Sequence, residues 1–143
     1  MMTRRHFTAL IAWGVAIPSC HRRRRPKELI QTFGSFPSPS GSLVLTVERR
    51  EKSLVDFHVS STSGSAPLFS SNRIGTDAMR WFLFWENDRV LWVYGSDVGY
   101  FARIDFPASS KPIENPVAIG STVPHPVWEA LSTSAREKYK VKQ

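Results

Sequence analysis

Arg80-Trp81-Phe82-Leu83-Phe84-Trp85, Glu86-Asn87-Asp88-Arg89 and Val90-Leu91-Trp92-Val93-Tyr94 form two apolar runs around a polar four, and their reading decides the fold. Aromatic and β-branched residues fit the pleated surface of a strand, and each run has strand length rather than helix length. A two-residue turn centred on Asn87-Asp88 suits the polar insert, because both residue types tolerate positive φ. That register sets Trp81 opposite Tyr94, Leu83 opposite Trp92 and Trp85 opposite Val90. It leaves Phe82, Phe84, Leu91 and Val93 on the other side. Both faces are apolar, so the hairpin belongs in the middle of the fold.

Alternation continues on both sides of it. Leu43, Leu45 and Val47 alternate with more polar neighbours, as do Val55, Phe57 and Val59 beyond Arg49-Arg50-Glu51-Lys52, which predicts a half-buried hairpin. Pro67-Leu68-Phe69 reads as a short edge strand. Tyr100 to Phe106 extends the tryptophan face with Tyr100, Ala102, Ile104 and Phe106, and its other face, carrying Phe101, Arg103 and Asp105, places it near an edge. Pro126 suits the first turn of a helix whose Val127, Trp128 and Leu131 would cover the sheet, and Ser134 to Glu137 has capping-box spacing for a restart. The expected fold is mainly β: an antiparallel meander of five to six strands with a short C-terminal helix. One domain is expected over residues 43–135, after a Ser/Pro/Gly-rich tether within 20–42 and before a basic tail at 136–143.

The N-terminus carries a different kind of information. Thr3, Arg4, Arg5 and Phe7 precede an uncharged run to Ser19, too short to span a bilayer core that takes about 20 apolar residues. This segment resembles a twin-arginine export signal, with Ala9 where the family has lysine. Ile17-Pro18-Ser19-Cys20 is similar to a bacterial lipobox, in which the cysteine receives the lipid. The resemblance implies a signal segment over residues 1–19, export, and anchoring of a cell-envelope lipoprotein through Cys20. Arg22, Arg23, Arg24 and Arg25 would then touch anionic headgroups. The same arginines favour a cytoplasmic flank, which keeps open a cytosolic domain with an uncleaved N-terminal apolar helix.

Charge location removes one function class. The formal charge of +7 invites a nucleic-acid reading, yet residues 28–135 hold 8 basic against 11 acidic side chains. The excess sits at the two ends, not on the folded body where a phosphate backbone would be gripped, so no nucleic-acid partner is expected.

Chemistry-bearing residues are sparse. Cys20 is the single cysteine, which excludes an intrachain disulfide, and His58 and His125 lack neighbours at metal-ligand spacing, so neither metal nor cofactor is expected. Asp56, His58 and Asp97 are the residues a small hydrolase would use, although no nucleophile-elbow pattern accompanies them. Trp81, Trp85, Trp92, Tyr94 and Tyr100 fall on one face in the register above. Its outer end, Trp81, Tyr94 and Tyr100, is the candidate surface for a protein or glycan partner. A binding or assembly role follows as the leading expectation, with the hydrolase as its alternative.

Overall fold

A computed structural model describes residues 28–96, 98–118 and 124–139. The expected signal residues Arg4, Arg5 and Phe7, the N-terminal apolar segment, Cys20, the arginines 22–25 and Asp97 lie outside the described residues.

Eight strands form two four-stranded antiparallel sheets. β1 (Gly34–Pro37), β2 (Leu43–Arg49), β3 (Val55–Ser61) and β4 (Pro67–Ser71) make the first in that order, and β5 (Trp81–Asn87), β6 (Val90–Gly95), β7 (Tyr100–Asp105) and β8 (Ile113–Pro116) make the second. Each sheet is a meander of neighbours in sequence, and two short helices follow, α1 (His125–Ala130) and α2 (Thr133–Tyr139). The mainly β expectation and the C-terminal helix hold. The strand count is eight rather than five or six, because β1 lies in the stretch read as a tether and β8 between prolines.

The two sheets close on a common core. Leu45, Val47, Phe57 and Val59 of the first meet Leu83, Leu91, Val93, Ala102 and Ile104 of the second, all essentially excluded from solvent. Burying a side chain of this size contributes about 1.5–3 kcal/mol, so this layer is the main source of stability. The second sheet is apolar on its other face too. There Phe82, Phe84, Val90, Trp92 and Phe101 pack beneath Val127 of α1 and Leu131 just after it, giving a third layer. The hairpin β5–β6 therefore does lie in the middle of the fold.

Its register differs from the expected one, for a reason visible at the turn. Asn87 pairs with Val90, so the turn is Asp88-Arg89, and neither of these residues nor Asn87 has positive φ. The Asn87 side chain instead accepts a hydrogen bond from the Arg89 amide at 2.9 Å. Glu86 is then an extra residue: Trp85 pairs with Leu91, and upstream Phe84 faces Trp92, Phe82 faces Tyr94 and Trp81 faces Gly95. A one-residue bulge flips the parity of every pair before it. Trp81, Leu83 and Trp85 thus join Leu91 and Val93 between the sheets, while Trp92 and Tyr94 join Phe82 and Phe84 beneath the helices. β7 lies between β6 and the edge strand β8.

The true edges are short or covered. β1, β4 and β8 each hold a proline, Pro37, Pro67 and Pro116. Proline lacks the N–H that a further strand would need. The edge of β5 is met by the lead-in chain, where Ile30 donates to the Leu83 carbonyl at 2.8 Å and accepts from its amide at 3.0 Å.

The helical layer is tied down by its own polar contacts. Ser132 Oγ accepts from the Ala135 amide at 3.2 Å and caps α2, so the cap is Ser132 rather than Ser134. The Arg136 guanidinium lies 4.1 Å over the Trp128 ring and donates to the Trp128 carbonyl at 2.7 Å, which closes the end of α1.

Candidate functional site

The first sheet keeps a polar outer face. Directly opposed residues of an antiparallel pair share a face, and the register sets Thr46 against His58, Glu48 against Asp56, and His58 against Ser70. With Arg50, Ser71 and Asn72 from the strand ends, Glu48, Asp56, His58 and Ser70 line a shallow cleft of about 310 Å³.

Asp56 is its most unusual member. The residue is buried, its Oδ2 pairs with Arg50 Nε, and its Oδ1 is shut off from solvent without a hydrogen-bond partner. A carboxylate in that setting needs its cation, since an uncompensated charge out of water is costly. The pair commits Asp56 to Arg50 rather than to orienting His58. General-base catalysis by His58 would need a partner fixing its ring and a nucleophile in hydrogen-bond reach. The structure does bring Asp56 and His58 to one cleft, whereas Asp97 lies outside the described residues. Glu48, Arg50, Ser70, Ser71 and Asn72 had no sequence signal beyond polar alternation, because strand register is what gathers them.

The aromatic candidates are separated. Trp81 and Tyr100 are buried between the sheets, and half-buried Tyr94 is on the opposite face, stacked 5.0 Å from Phe82. They do not form one surface, and the cause is again the bulge at Glu86. Burial pushes the Tyr100 hydroxyl well above the ordinary tyrosine range, reinforced by Glu114, whose Oε1 accepts from it at 3.0 Å. Burial also raises Tyr94, with Arg80 opposing.

Among the described residues there is no group of three or more His, Cys, Asp or Glu side chains able to hold a metal ion. No described helix is long and apolar enough to cross a membrane. What the fold defines is a class: an antiparallel β-sandwich with a helical layer over one sheet and a polar, cleft-bearing face on the other. No family model, no curated protein and no solved structure matches this chain.

Proposed function

We propose that the protein is an exported cell-envelope lipoprotein, anchored through Cys20, whose sandwich domain acts as a binding or assembly module for a protein or glycan partner. The observation that carries the reading is the order Thr3-Arg4-Arg5-His6-Phe7, an uncharged run, then Ile17-Pro18-Ser19-Cys20. Its distance to the domain fits: the first described backbone pairing is at Ile30, ten residues beyond the cysteine. The binding half draws on the contrast between the sheets, since helices cover the outer face of the second while the cleft of the first stays open.

The mass of the mature chain tests the anchor. A chain that begins at Cys20 and carries acyl groups is expected, and Cys20→Ala should move the protein from the membrane to the soluble fraction. A full-length unmodified mass, with the same soluble distribution for both chains, sinks the reading.

A hydrolytic second reading is favoured by one observation, the shared cleft of Asp56 and His58. It requires a turnover that His58→Ala abolishes while leaving the unfolding midpoint unchanged. Equal turnover by the two chains excludes it.

A further inference from the structure

The ends of the sandwich differ in a way its function as a binding module does not explain. Strand directions place the loops 38–42, 62–66, 87–89 and 106–112 at one end, and the loops 31–33, 50–54 and 72–80, with Ser96, Val98 and Gly99, at the other. The first end is mostly serine, glycine and proline; its loops carry no exposed large hydrophobic side chain among the described residues, and Leu68 and Ile113 stand exposed where β4 and β8 begin beside them. The second end displays Phe33, Leu54, Met79 and Val98, four of the six exposed large hydrophobics among the described residues. Each comes from a different loop, and Lys52 and Arg80 stand exposed beside them.

We infer that this end of the sandwich dips into an anionic phospholipid surface, so that the domain lies against the membrane in a fixed orientation. The inference rests on the anchored-lipoprotein reading. Leu54, Met79 and Val98 on separate loops, with Phe33 behind them against Trp81 and under the Arg49 guanidinium, suit a fluid interface into which apolar tips insert singly. A contiguous patch would be the mark of a protein partner. Glu51 adjoins Lys52, and Asp97 belongs to the sequence of the 96–99 loop, so the net electrostatic attraction is modest and the apolar tips carry the contact. Asp77, also at this end, is taken up by Arg49.

The reach of the chain permits it. Cys20 precedes Glu28 by eight residues, which span at most about 26–29 Å when extended. Ile30 pairs with Leu83, two residues from the Trp81 end of β5, and Phe33 lies against Trp81 at a ring separation of 5.9 Å. The lead-in is antiparallel to β5, so Glu28 lies level with Trp85, about 13 Å from the Trp81 level, and an anchored Cys20 reaches the apolar loops by turning back over about half of its span.

The single native cysteine makes the test direct. In the full chain with Cys20→Ala, a polarity-sensitive nitrobenzoxadiazole dye is placed at Met79→Cys or, at the opposite end, at Ser109→Cys. Vesicles of mixed phosphatidylethanolamine and phosphatidylglycerol are added in excess, and co-sedimentation is recorded in parallel. The expected result is about a threefold rise in emission at position 79, the response of a probe entering the headgroup boundary, and little change at position 109. Equal responses at both positions, or silence at position 79, overturn the inference; so does a rise at 79 that persists when Phe33, Leu54 and Val98 are all changed to serine. The mass of the mature chain decides acylation separately, so a failed anchor and a failed membrane-facing end give different results.

Discussion

Replacing Gly95 by alanine should destabilise the protein strongly, against the usual direction of that substitution. Within a strand, Gly→Ala ordinarily stabilises by about 0.4–1 kcal/mol, because alanine leaves the unfolded chain less freedom to lose. Gly95 ends β6, buried between Trp81 and Tyr100, and a Cβ built there falls 2.2 Å from the Ile74 carbonyl oxygen, 2.9 Å from its carbon and 3.0 Å from its Cα. All three are backbone atoms, so no rotamer change relieves the clash. The 72–80 loop would have to retreat until the oxygen clears 3.0 Å, carrying with it Ile74, which is fully buried. Overpacking of this kind costs about 1–3 kcal/mol where side chains can yield, and a rigid backbone places Gly95→Ala at about 3 kcal/mol or more. For a domain of this size that lowers the melting temperature by roughly 10–20 °C. Gly64→Ala is the internal control, since its Cβ would meet only the Ser61 Cβ, at an ordinary 3.7 Å. Urea unfolding followed by tryptophan fluorescence reads both. A Gly95→Ala midpoint at or above the parent's, with Gly64→Ala unchanged, would refute the approach of the 72–80 loop to β6.

Three further outcomes are expected. Glu86, the extra residue of the bulge, accepts from Trp92 Nε1 at 2.7 Å; Glu86→Ala should cost about 1.5–3 kcal/mol in urea unfolding and Glu86→Gln distinctly less. Leu131→Ala should cost about 2–4 kcal/mol and raise binding of an anilinonaphthalene dye, because it loosens the layer over Phe82 and Phe84; a stability loss without dye binding would argue against that cover. Stability should fall above pH 10: the unfolded chain releases tyrosine protons near 10.0, while buried Tyr100 and Tyr94 keep theirs, so the unfolded state binds fewer protons there. Tyr100→Phe should flatten that fall for about 1 kcal/mol at neutral pH, from loss of the bond to Glu114, and an unchanged alkaline slope counts against a buried Tyr100.

The parts of the fold legible from sequence were those with a strong local period. Two aromatic runs around a polar four gave the central hairpin, the alternation in 43–59 gave its neighbour in the other sheet, and Pro126 marked the first turn of α1. What was not legible depended on single residues. One unpaired residue, Glu86, moves Trp92 and Tyr94 to the opposite face from Trp81 and Tyr100. No period of two can reveal it, because both runs are apolar on both faces and so fit either register. β1 was hidden by composition: Gly34, Ser35 and Pro37 read as linker, and only pairing with Val44 to Val47 makes them a strand. The cleft illustrates the same limit, since Glu48 and Asp56 are eight residues apart in sequence but face one another across a ladder. Asp56 was visible as a candidate acid; its commitment to Arg50 was not.

The pairing of Ile30 with Leu83 has a mechanical side. Tension applied through the residues before Glu28 reaches that pair first, and only afterwards the ladder between β1 and β2. Two hydrogen bonds fail at lower load than a four-residue ladder, so the molecule gives way in a set order. The first step bares the side chain of Ile30 and the unpaired edge of β5 while both sheets remain folded. A pull of that kind converts a closed sandwich into one with a single adhesive strand edge, next to the point where the force enters.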